Sequence, residues 1–162
     1  MRVVALVRHG EEQCGAEGEA CGLSARGRSE AAAARDLLGP LRPRTVWSSP
    51  ARPARETAMA IAAAAAVRPL PGLAEGGARA AAALAEAREV PGHLVLVGHG
   101  AATARLLSEV LGMPSEAAGR LQQDPGAVSL LVEDRRGRLR VAAVNLTPLD
   151  PLRRAVAAVR AA

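Results

Sequence analysis

Residues Val3 to Gly10 read Val-Val-Ala-Leu-Val-Arg-His-Gly, and they combine an apolar run with a short polar junction. The five apolar residues that open it predict a short strand buried inside a sheet. A charged pair, Arg8 and His9, follows the strand directly, and Gly10 follows the pair. Open α/β sheets bind ligands at the carboxyl ends of their strands. The junction at residues 8–10 is therefore a candidate site.

A second junction of the same kind lies ninety residues further along the chain. The apolar run Leu94-Val95-Leu96-Val97 predicts another buried strand, and Gly98-His99-Gly100 follows it. Residues 101–111 then show a helical pattern. If the two strands are parallel, His9 and His99 lie at the same edge of one sheet.

The residue types at these junctions favour phosphate chemistry. The planar guanidinium of Arg8 can bind two phosphate oxygens at once. A neutral histidine such as His9 offers a ring nitrogen that can act as a nucleophile. Glycine allows the backbone to approach a ligand closely. A single Arg-His-Gly sequence is a weak signal, and the matching junction at His99 strengthens it.

The composition excludes several other classes of protein. All 21 basic residues are arginine, so a Walker-type phosphate loop and a lysine Schiff base are both excluded. The net charge is +5, but the arginines are spread along the chain and the chain has no Phe or Tyr on which bases could stack. We therefore expect no nucleic-acid partner. We also expect a cytoplasmic protein without a membrane partner, since neither a signal peptide nor a charge-free apolar run of spanning length is evident.

Cys14 and Cys21 lie in a segment rich in Gly and Glu, residues 11–22. There is no Cys-x-x-Cys pair and no His-Glu-x-x-His motif, so we expect no structural zinc site. In a cytoplasmic protein two such thiols are expected to be reduced. The segment is either a flap that closes over a ligand or an exposed connector, and the sequence leaves both possibilities open.

The rest of the chain alternates between helical and strand patterns. We predict class α/β: a three-layer α/β/α sandwich with a mostly parallel, mixed central sheet, in a single domain of residues 1–162. The further predicted elements are a helix capped by Ser24, with an apolar face of Ala31, Ala34, Leu37 and Leu38 and an end at Gly39-Pro40; a strand at 45–48; a helix at 53–66; an extended piece at 68–73; a helix at 80–90; a hairpin of 127–133 with 139–145; and a helix at 149–160.

These motifs together resemble the histidine phosphatase superfamily, the phosphoglycerate-mutase-like enzymes. The segment from Ser48 to Ala58 is similar to the family's Ser-Ser-Pro-x-x-Arg-Ala-x-x-Thr-Ala, and residues 8–10 match its Arg-His-Gly signature. The resemblance implies a phosphatase that works through a phosphohistidine and needs neither a metal nor another cofactor. The short chain and the late hairpin resemble the phosphohistidine phosphatase branch most. The implied substrate is a phosphohistidine protein or a small phosphorylated molecule, and the oligomeric state stays open.

The resemblance also assigns roles to particular residues. His9 would attack phosphorus, Arg8 would hold the phosphate oxygens, and His99 would stabilise the charge of the transferring group. The backbone at Gly10 and Gly100 would help to bind the substrate. The general acid is expected to be Glu75, because the family's acid often follows the third strand in a Leu-x-Glu context. Glu11 and Glu12, close to His9, are alternatives, and the other interpretation of Glu75 is an exposed loop carboxylate.

The main departure from the family pattern is Pro53, which stands where the family has its second phosphate-binding arginine. Proline carries no charge and no N–H, so it cannot take over that role directly. We expect Arg52 to supply the missing charge, with Arg55 as the second candidate. Alternatively neither arginine reaches the site, and the chain is a degenerate family member that binds a phosphorylated ligand without turnover.

Overall fold

The computed structural model describes residues 1–15 and 21–148. The predicted helix at 149–160 lies outside these residues. Short 3₁₀ segments occur at Gly39–Leu41, Pro71–Leu73 and Ser115–Arg120. The strands are β1 (Arg2–Arg8), β2 (Glu12–Gln13), β3 (Gly22–Leu23), β4 (Thr45–Ser48), β5 (Ala66–Pro69), β6 (Leu94–Gly98), β7 (Val128–Glu133) and β8 (Leu139–Leu146), and the helices are α1 (Ala25–Leu38), α2 (Arg52–Ala62), α3 (Ala80–Arg88) and α4 (Gly100–Leu111).

Six strands form one mixed sheet in the order β5-β4-β6-β1-β7-β8. The first four run parallel, β7 pairs antiparallel with β1, and β8 pairs antiparallel with β7. The hairpin between β7 and β8 turns at Asp134, whose backbone N–H donates to the carbonyl of Arg138 at 2.9 Å. The predicted mixed sheet and its late hairpin are both confirmed.

Helices cover both faces of the sheet. The side chains of β1 alternate between the two faces, as the twofold period of a strand requires. Val4 and Leu6 belong to the core cluster that includes residues of α3 and α4, whereas Ala5 and Val7 belong to the cluster that includes residues of α1 and α2. This is the three-layer α/β/α architecture that the sequence predicts.

Helix α1 begins as predicted, but its buried face differs at one position. The Ser24 hydroxyl accepts a hydrogen bond from the backbone N–H of Gly27 at 3.0 Å, so Ser24 is the N-cap. Ala31, Ala34 and Leu38 are buried, whereas Leu37 is 42% exposed. The prediction for Leu37 is wrong because that residue lies at the edge of the apolar stripe. Glu30 is buried instead.

Helix α2 is shorter than the sequence predicts. It ends at Ala62, Ala63 adopts a left-handed φ of 48°, and residues 66–69 form the edge strand β5. The predicted end at residue 66 is therefore wrong. Alanine is the best helix former, so the run of alanines carries no local stop signal. Parallel pairing of β5 with β4 decides the boundary instead.

Cys14 and Cys21 form a disulfide, with their Cα atoms 4.0 Å apart. The expectation of two reduced thiols is therefore wrong for this structure. The antiparallel pairing of β2 with β3 brings the two cysteines together, and a rule based on cellular compartment does not include that local geometry. Within the described part of the chain, no helix is both long and apolar enough to span a membrane.

Candidate active site

Three adjacent parallel strands end at the same level of the sheet, and their ends build the site. Arg8 of β1 pairs with Gly98 of β6, and the His9 N–H donates to the Gly98 carbonyl at 2.9 Å. On the other side of β6, the Ser49 N–H donates to the Val97 carbonyl at 2.8 Å. The residues that follow the strands therefore meet at the carboxyl edge of the sheet, where open α/β sheets bind ligands.

The two histidines that the sequence pairs lie side by side. Their ring centroids are 4.9 Å apart and their planes are inclined by 72°. His9 is only 5% exposed, and its Nδ1 lies 2.7 Å from the carbonyl oxygen of Gly10. Because a carbonyl oxygen only accepts hydrogen bonds, Nδ1 carries the ring proton when His9 is neutral. Nε2 then holds the lone pair that a nucleophile needs.

His99 lies beside His9 and is held by Ser49. The Ser49 hydroxyl oxygen lies 3.0 Å from His99 Nε2 and accepts a hydrogen bond from the Ala51 N–H at 3.2 Å. Its own proton is therefore available to His99 Nε2. Burial lowers the pKa of His99, and the neighbouring His9 lowers it further, while the carboxylates of Glu75 and Glu12 oppose the shift. The unliganded site thus favours a neutral His99.

Arg8 presents part of its guanidinium to the site. Its Nη1 donates to the backbone carbonyl of Gln123 at 2.7 Å. Its Nε is buried and has no hydrogen-bond partner among residues 1–15 and 21–148. A buried N–H without a partner is costly, and a bound anion would satisfy it. The anchored Nη1 leaves the rest of the fork free to bind a phosphate oxygen.

These side chains border a cavity of about 500 Å³. Helix α4 starts at its wall, where the Thr103 N–H closes the first helical hydrogen bond on the His99 carbonyl. The N–H groups before Thr103 have no intrahelical partner, and such helix starts attract anions. No three His, Cys, Asp or Glu side chains of the described residues are grouped to hold a metal ion. The cavity is lined by Arg8, His9, Glu12, Cys21, Ala51, Arg52, Pro53, Glu75, His99, Gly100 and Ala101.

Of the two glycines expected to bind substrate, only Gly100 lines the cavity. Gly10 packs behind the site instead. A Cβ at Gly10 would collide with the backbone of Gly27 in α1, and the Gly10 N–H donates to the Thr57 hydroxyl at 3.1 Å. In the free protein, the missing Cβ of Gly10 therefore allows its backbone to pack closely against helix α1.

The three candidate acids fall into two groups. Glu75 and Glu12 both line the cavity, and both side chains are exposed. Glu11 faces away: its carboxylate accepts the Ser24 hydroxyl at 2.7 Å, and its backbone N–H donates to Glu30 at 2.8 Å. The structure thus brings two of the three carboxylates to the site.

The two candidate arginines near Pro53 also separate. Arg52 lines the cavity together with Pro53, which is the second residue of α2. Arg52 Nε donates to Glu56 at 2.7 Å, and the pKa of Glu56 is lowered by the backbone N–H of Leu23 and by Arg52. Arg55 lines a different cavity, which also includes Ser48, Pro50, Met59, Val67 and Pro69. The structure brings Arg52 to the site and leaves Arg55 outside it.

Sequence reasoning assigned no role to three residues that support the site: Ser49, Thr57 and Gln123. Ser49 and Thr57 stand in the segment that carries the family resemblance, which was the available signal. Gln123 binds Arg8 through its backbone carbonyl. Because every residue type has that carbonyl, no sequence pattern could have revealed the contact.

Comparison with known families agrees with this geometry. The sequence profile of the histidine phosphatase superfamily (branch 1) matches residues 4–78 and 74–147. The chain belongs to the histidine phosphatase superfamily. The two matched stretches contain both histidine junctions of this superfamily member, at His9 and at His99. No curated protein matches its sequence significantly.

Three solved structures with the same fold are each about a fifth identical to this chain in sequence. Phosphoserine phosphatase from Entamoeba histolytica in complex with 3-phosphoglyceric acid is 18% identical, with a TM-score of 0.74 over 90% of this chain and 97% of that one. α-Ribazole phosphatase from Shigella flexneri is 19% identical, with a TM-score of 0.73 over 88% and 96%. Mycobacterial glucosyl-3-phosphoglycerate phosphatase with inorganic phosphate is 20% identical, with a TM-score of 0.74 over 91% and 99%.

Proposed function

We propose that this superfamily member is a metal-independent phosphatase that hydrolyses a phosphomonoester or a phosphohistidine through a phosphohistidine formed on His9. The observation that carries the proposal is the state of His9. Its Nδ1–H donates to the Gly10 carbonyl, and the ring lies beside Arg8 and His99 at the cavity of about 500 Å³. Membership of the superfamily and the names of the structural neighbours support the same activity.

The reaction would proceed in two displacements on phosphorus. In the first, His9 Nε2 forms a bond to phosphorus while the bond to the leaving group breaks, and an acid gives the leaving group a proton. In the second, water attacks phosphorus and gives a proton to the carboxylate that acted as the acid in the first step. The bond between phosphorus and His9 Nε2 breaks, which restores His9 and releases inorganic phosphate. Arg8, the start of α4 and His99 would stabilise the charge on the phosphoryl oxygens, which is what phosphoryl transfer chiefly requires. Of these, the guanidinium of Arg8 and the start of α4 supply positive charge from the protein itself, whereas a neutral His99 would contribute a hydrogen bond.

Glu75 is the proposed proton donor, with Glu12 as the alternative. Both carboxylates line the cavity, and Glu75 lies in the turn directly after the 3₁₀ segment at residues 71–73. An acid matters most when the leaving group is a poor one. Replacement of the true donor by glutamine should slow an alkyl phosphate about a hundredfold, and para-nitrophenyl phosphate far less.

The substrate is proposed to carry an accessible phosphoryl group. The three structures compared above are named as phosphoserine phosphatase, α-ribazole phosphatase and glucosyl-3-phosphoglycerate phosphatase, names that point to small phosphorylated molecules. A phosphohistidine protein is the other candidate. A cytoplasmic location stays a prediction, and the Cys14–Cys21 disulfide is more typical of an oxidising environment.

The test is turnover of para-nitrophenyl phosphate by the wild-type protein and by His9→Ala, each with and without EDTA. The wild type should turn over in both buffers and should carry acid-labile phosphate after rapid quenching. His9→Ala should lose turnover and trapping while its melting temperature stays close to that of the wild type. Full activity of a folded His9→Ala protein would overturn the proposal. A screen of phosphorylated metabolites and phosphohistidine peptides would then separate the two substrate classes.

A second candidate function is binding of a phosphorylated ligand without turnover. Pro53 favours it, because the wall at that position carries no charge, and Arg52 is partly neutralised by its ion pair with Glu56. Inorganic phosphate that raises the melting temperature of a protein without detectable hydrolysis would support this candidate. Trapped phosphohistidine on His9 would exclude it.

A further inference from the structure

Arg8 depends on a neighbouring loop for its orientation. Its Nη1 donates to the Gln123 carbonyl at 2.7 Å, while Nε has no partner among the described residues. The direction in which the free side of the guanidinium points is therefore set by the position of one carbonyl group. Gln123 belongs to the loop at residues 121–127 between the last 3₁₀ segment and β7. Whatever fixes this loop also fixes the phosphate-binding arginine.

Asn145 of β8 holds the loop at the residue after Gln123. The Asp124 N–H donates to Asn145 Oδ1 at 2.7 Å, and Asn145 Nδ2 donates to Asp124 Oδ2 at 2.9 Å. The two bonds run in opposite directions between the same two residues. Together they close a hydrogen-bonded ring between residues 21 positions apart in sequence. The Asn145 amide uses both its oxygen and its nitrogen to bind Asp124.

A second chain of hydrogen bonds runs from Asn145 to Gln123 itself. The Asn145 N–H donates to the Ser129 hydroxyl oxygen at 3.0 Å, and that hydroxyl donates to Gln123 Oε1 at 3.1 Å. Ser129 is fully buried and Gln123 is 7% exposed, so water cannot readily replace either partner. Asn145 thus reaches the loop through its side chain and through its backbone.

The backbone at Asn145 is shaped for this contact. Between the pairs Val128–Leu146 and Leu130–Ala143, strand β7 advances by two residues and β8 by three. Strand β8 therefore carries a bulge, a feature that often re-aims side chains beside active sites. Asn145 lies in it with a φ of 55°, a left-handed conformation that asparagine tolerates better than most residues.

We propose that Asn145 is a positioning residue for phosphate binding: through Asp124, Ser129 and Gln123 it holds the carbonyl that orients Arg8. Asn145 does not line the cavity and has no contact with the reacting groups. The inference rests on the proposed function, because it assigns to Arg8 the task of binding the phosphoryl group. It predicts that removal of the Asn145 amide weakens phosphate binding from outside the site.

The variant that isolates the amide is Asn145→Gly. Glycine adopts the positive φ without strain, so only the two side-chain bonds to Asp124 are lost. The matched control is Arg42→Gly, which makes the same change at another left-handed residue, φ 46°, in the loop that precedes β4. Ser129→Ala breaks the second chain of bonds independently. It serves as the test if Asn145→Gly does not fold.

Two readouts are needed. The first is inhibition of para-nitrophenyl phosphate hydrolysis by inorganic phosphate, and we expect the inhibition constant to rise about five- to twentyfold in Asn145→Gly and to stay within twofold in Arg42→Gly. The second is the Arg8 Nε–H resonance in ¹⁵N-labelled protein, assigned by its loss in Arg8→Lys. We expect this resonance to shift in Asn145→Gly without any ligand present, and to stay in place in Arg42→Gly.

The outcomes distinguish the positioning role of Asn145 from the proposed phosphatase function. An unchanged Arg8 resonance, or an unchanged inhibition constant, in a folded Asn145→Gly protein overturns the positioning role while leaving the proposed function intact. A wild-type protein that neither hydrolyses para-nitrophenyl phosphate nor binds inorganic phosphate overturns the proposed function, and the positioning role with it.

Discussion

Two adjacent serines at the end of β4 should respond to the same substitution in opposite ways. Ser48 and Ser49 are 1% and 0% exposed. The Ser48 hydroxyl is buried without a hydrogen-bond partner in the described part of the chain. The Ser49 hydroxyl accepts from Ala51 and bonds His99. Substitution by alanine removes an unpaired buried hydroxyl at Ser48, whereas at Ser49 it removes two hydrogen bonds.

The expected sizes follow from these partners. An unsatisfied buried hydroxyl costs about 1–3 kcal/mol, so Ser48→Ala should raise the free energy of unfolding by about 1 kcal/mol after some loss of packing. Ser49→Ala loses two hydrogen bonds worth about 1 kcal/mol each, which partial exposure of Ala51 and His99 reduces to about 1–2 kcal/mol. The two variants should therefore differ by about 2–3 kcal/mol.

Activity should separate the two variants as well. In Ser49→Ala the His99 ring loses the group that holds its Nε2, so we expect kcat/KM to fall about tenfold, equivalent to about 1.4 kcal/mol of transition-state stabilisation. Ser48 lines the cavity that contains Arg55 and not the one that contains His9, so Ser48→Ala should keep kcat/KM within about twofold of the wild type.

The measurements are urea unfolding followed by circular dichroism, and steady-state hydrolysis of para-nitrophenyl phosphate. If Ser48→Ala is as destabilising as Ser49→Ala, the Ser48 hydroxyl has a partner and the hydrogen-bond argument is wrong. If Ser49→Ala folds and keeps full kcat/KM, His99 does not depend on Ser49.

Three further predictions concern a carboxylate, an arginine and the disulfide near the cavity. The Glu75 carboxylate raises the pKa of His99, in opposition to burial and to His9, so Glu75→Gln should lower that pKa further. An NMR titration in which the pKa of His99 rises or stays constant would contradict this electrostatic account. Arg52→Ala should weaken inhibition by inorganic phosphate and cut turnover at least about tenfold, because a charge-assisted bond to phosphate is worth about 1.5–3 kcal/mol. The effect of Arg55→Ala should be milder. Equal effects of the two variants would argue against Arg52 as the replacement for the family's arginine. The disulfide joins cysteines seven positions apart, so Cys14→Ser should lower the free energy of unfolding by about 2.5 kcal/mol. The stability of this variant should no longer respond to reducing agent. Titration of two free thiols in untreated wild-type protein would refute the disulfide.

The sequence predicts the frame of the site because that frame depends on local patterns. An apolar run followed by a histidine marks a strand end, and parallel pairing places His9 and His99 together at 4.9 Å. The supporting contacts of Arg8 and His99 could not be predicted. They use a backbone carbonyl at Gln123 and a serine hydroxyl whose partner lies 50 positions away. Such contacts depend on tertiary geometry that residue type does not encode.

The errors have the same origin. The end of α2 and the disulfide were both decided by strand pairing, of β5 with β4 and of β2 with β3. Pro53 is a different case, because the sequence marks it as a departure from the family pattern but does not indicate which residue compensates for the missing arginine. The structure places Arg52 at the cavity, and the role of Arg52 stays a prediction.

The position of β1 within the sheet has a consequence for synthesis of the chain. It is made before the other strands of its sheet, yet both of its neighbours, β6 and β7, come from residues 94–98 and 128–133. At about 5–20 residues per second, the ribosome needs roughly 5–20 s to make the first partner after β1, and longer to make the second. During that interval the apolar residues 3–7 have no strand to pair with, and unpaired apolar strands promote aggregation. During synthesis His9 therefore lies directly beside an unpaired apolar segment, and chaperone binding to residues 3–7 should affect the yield of folded protein.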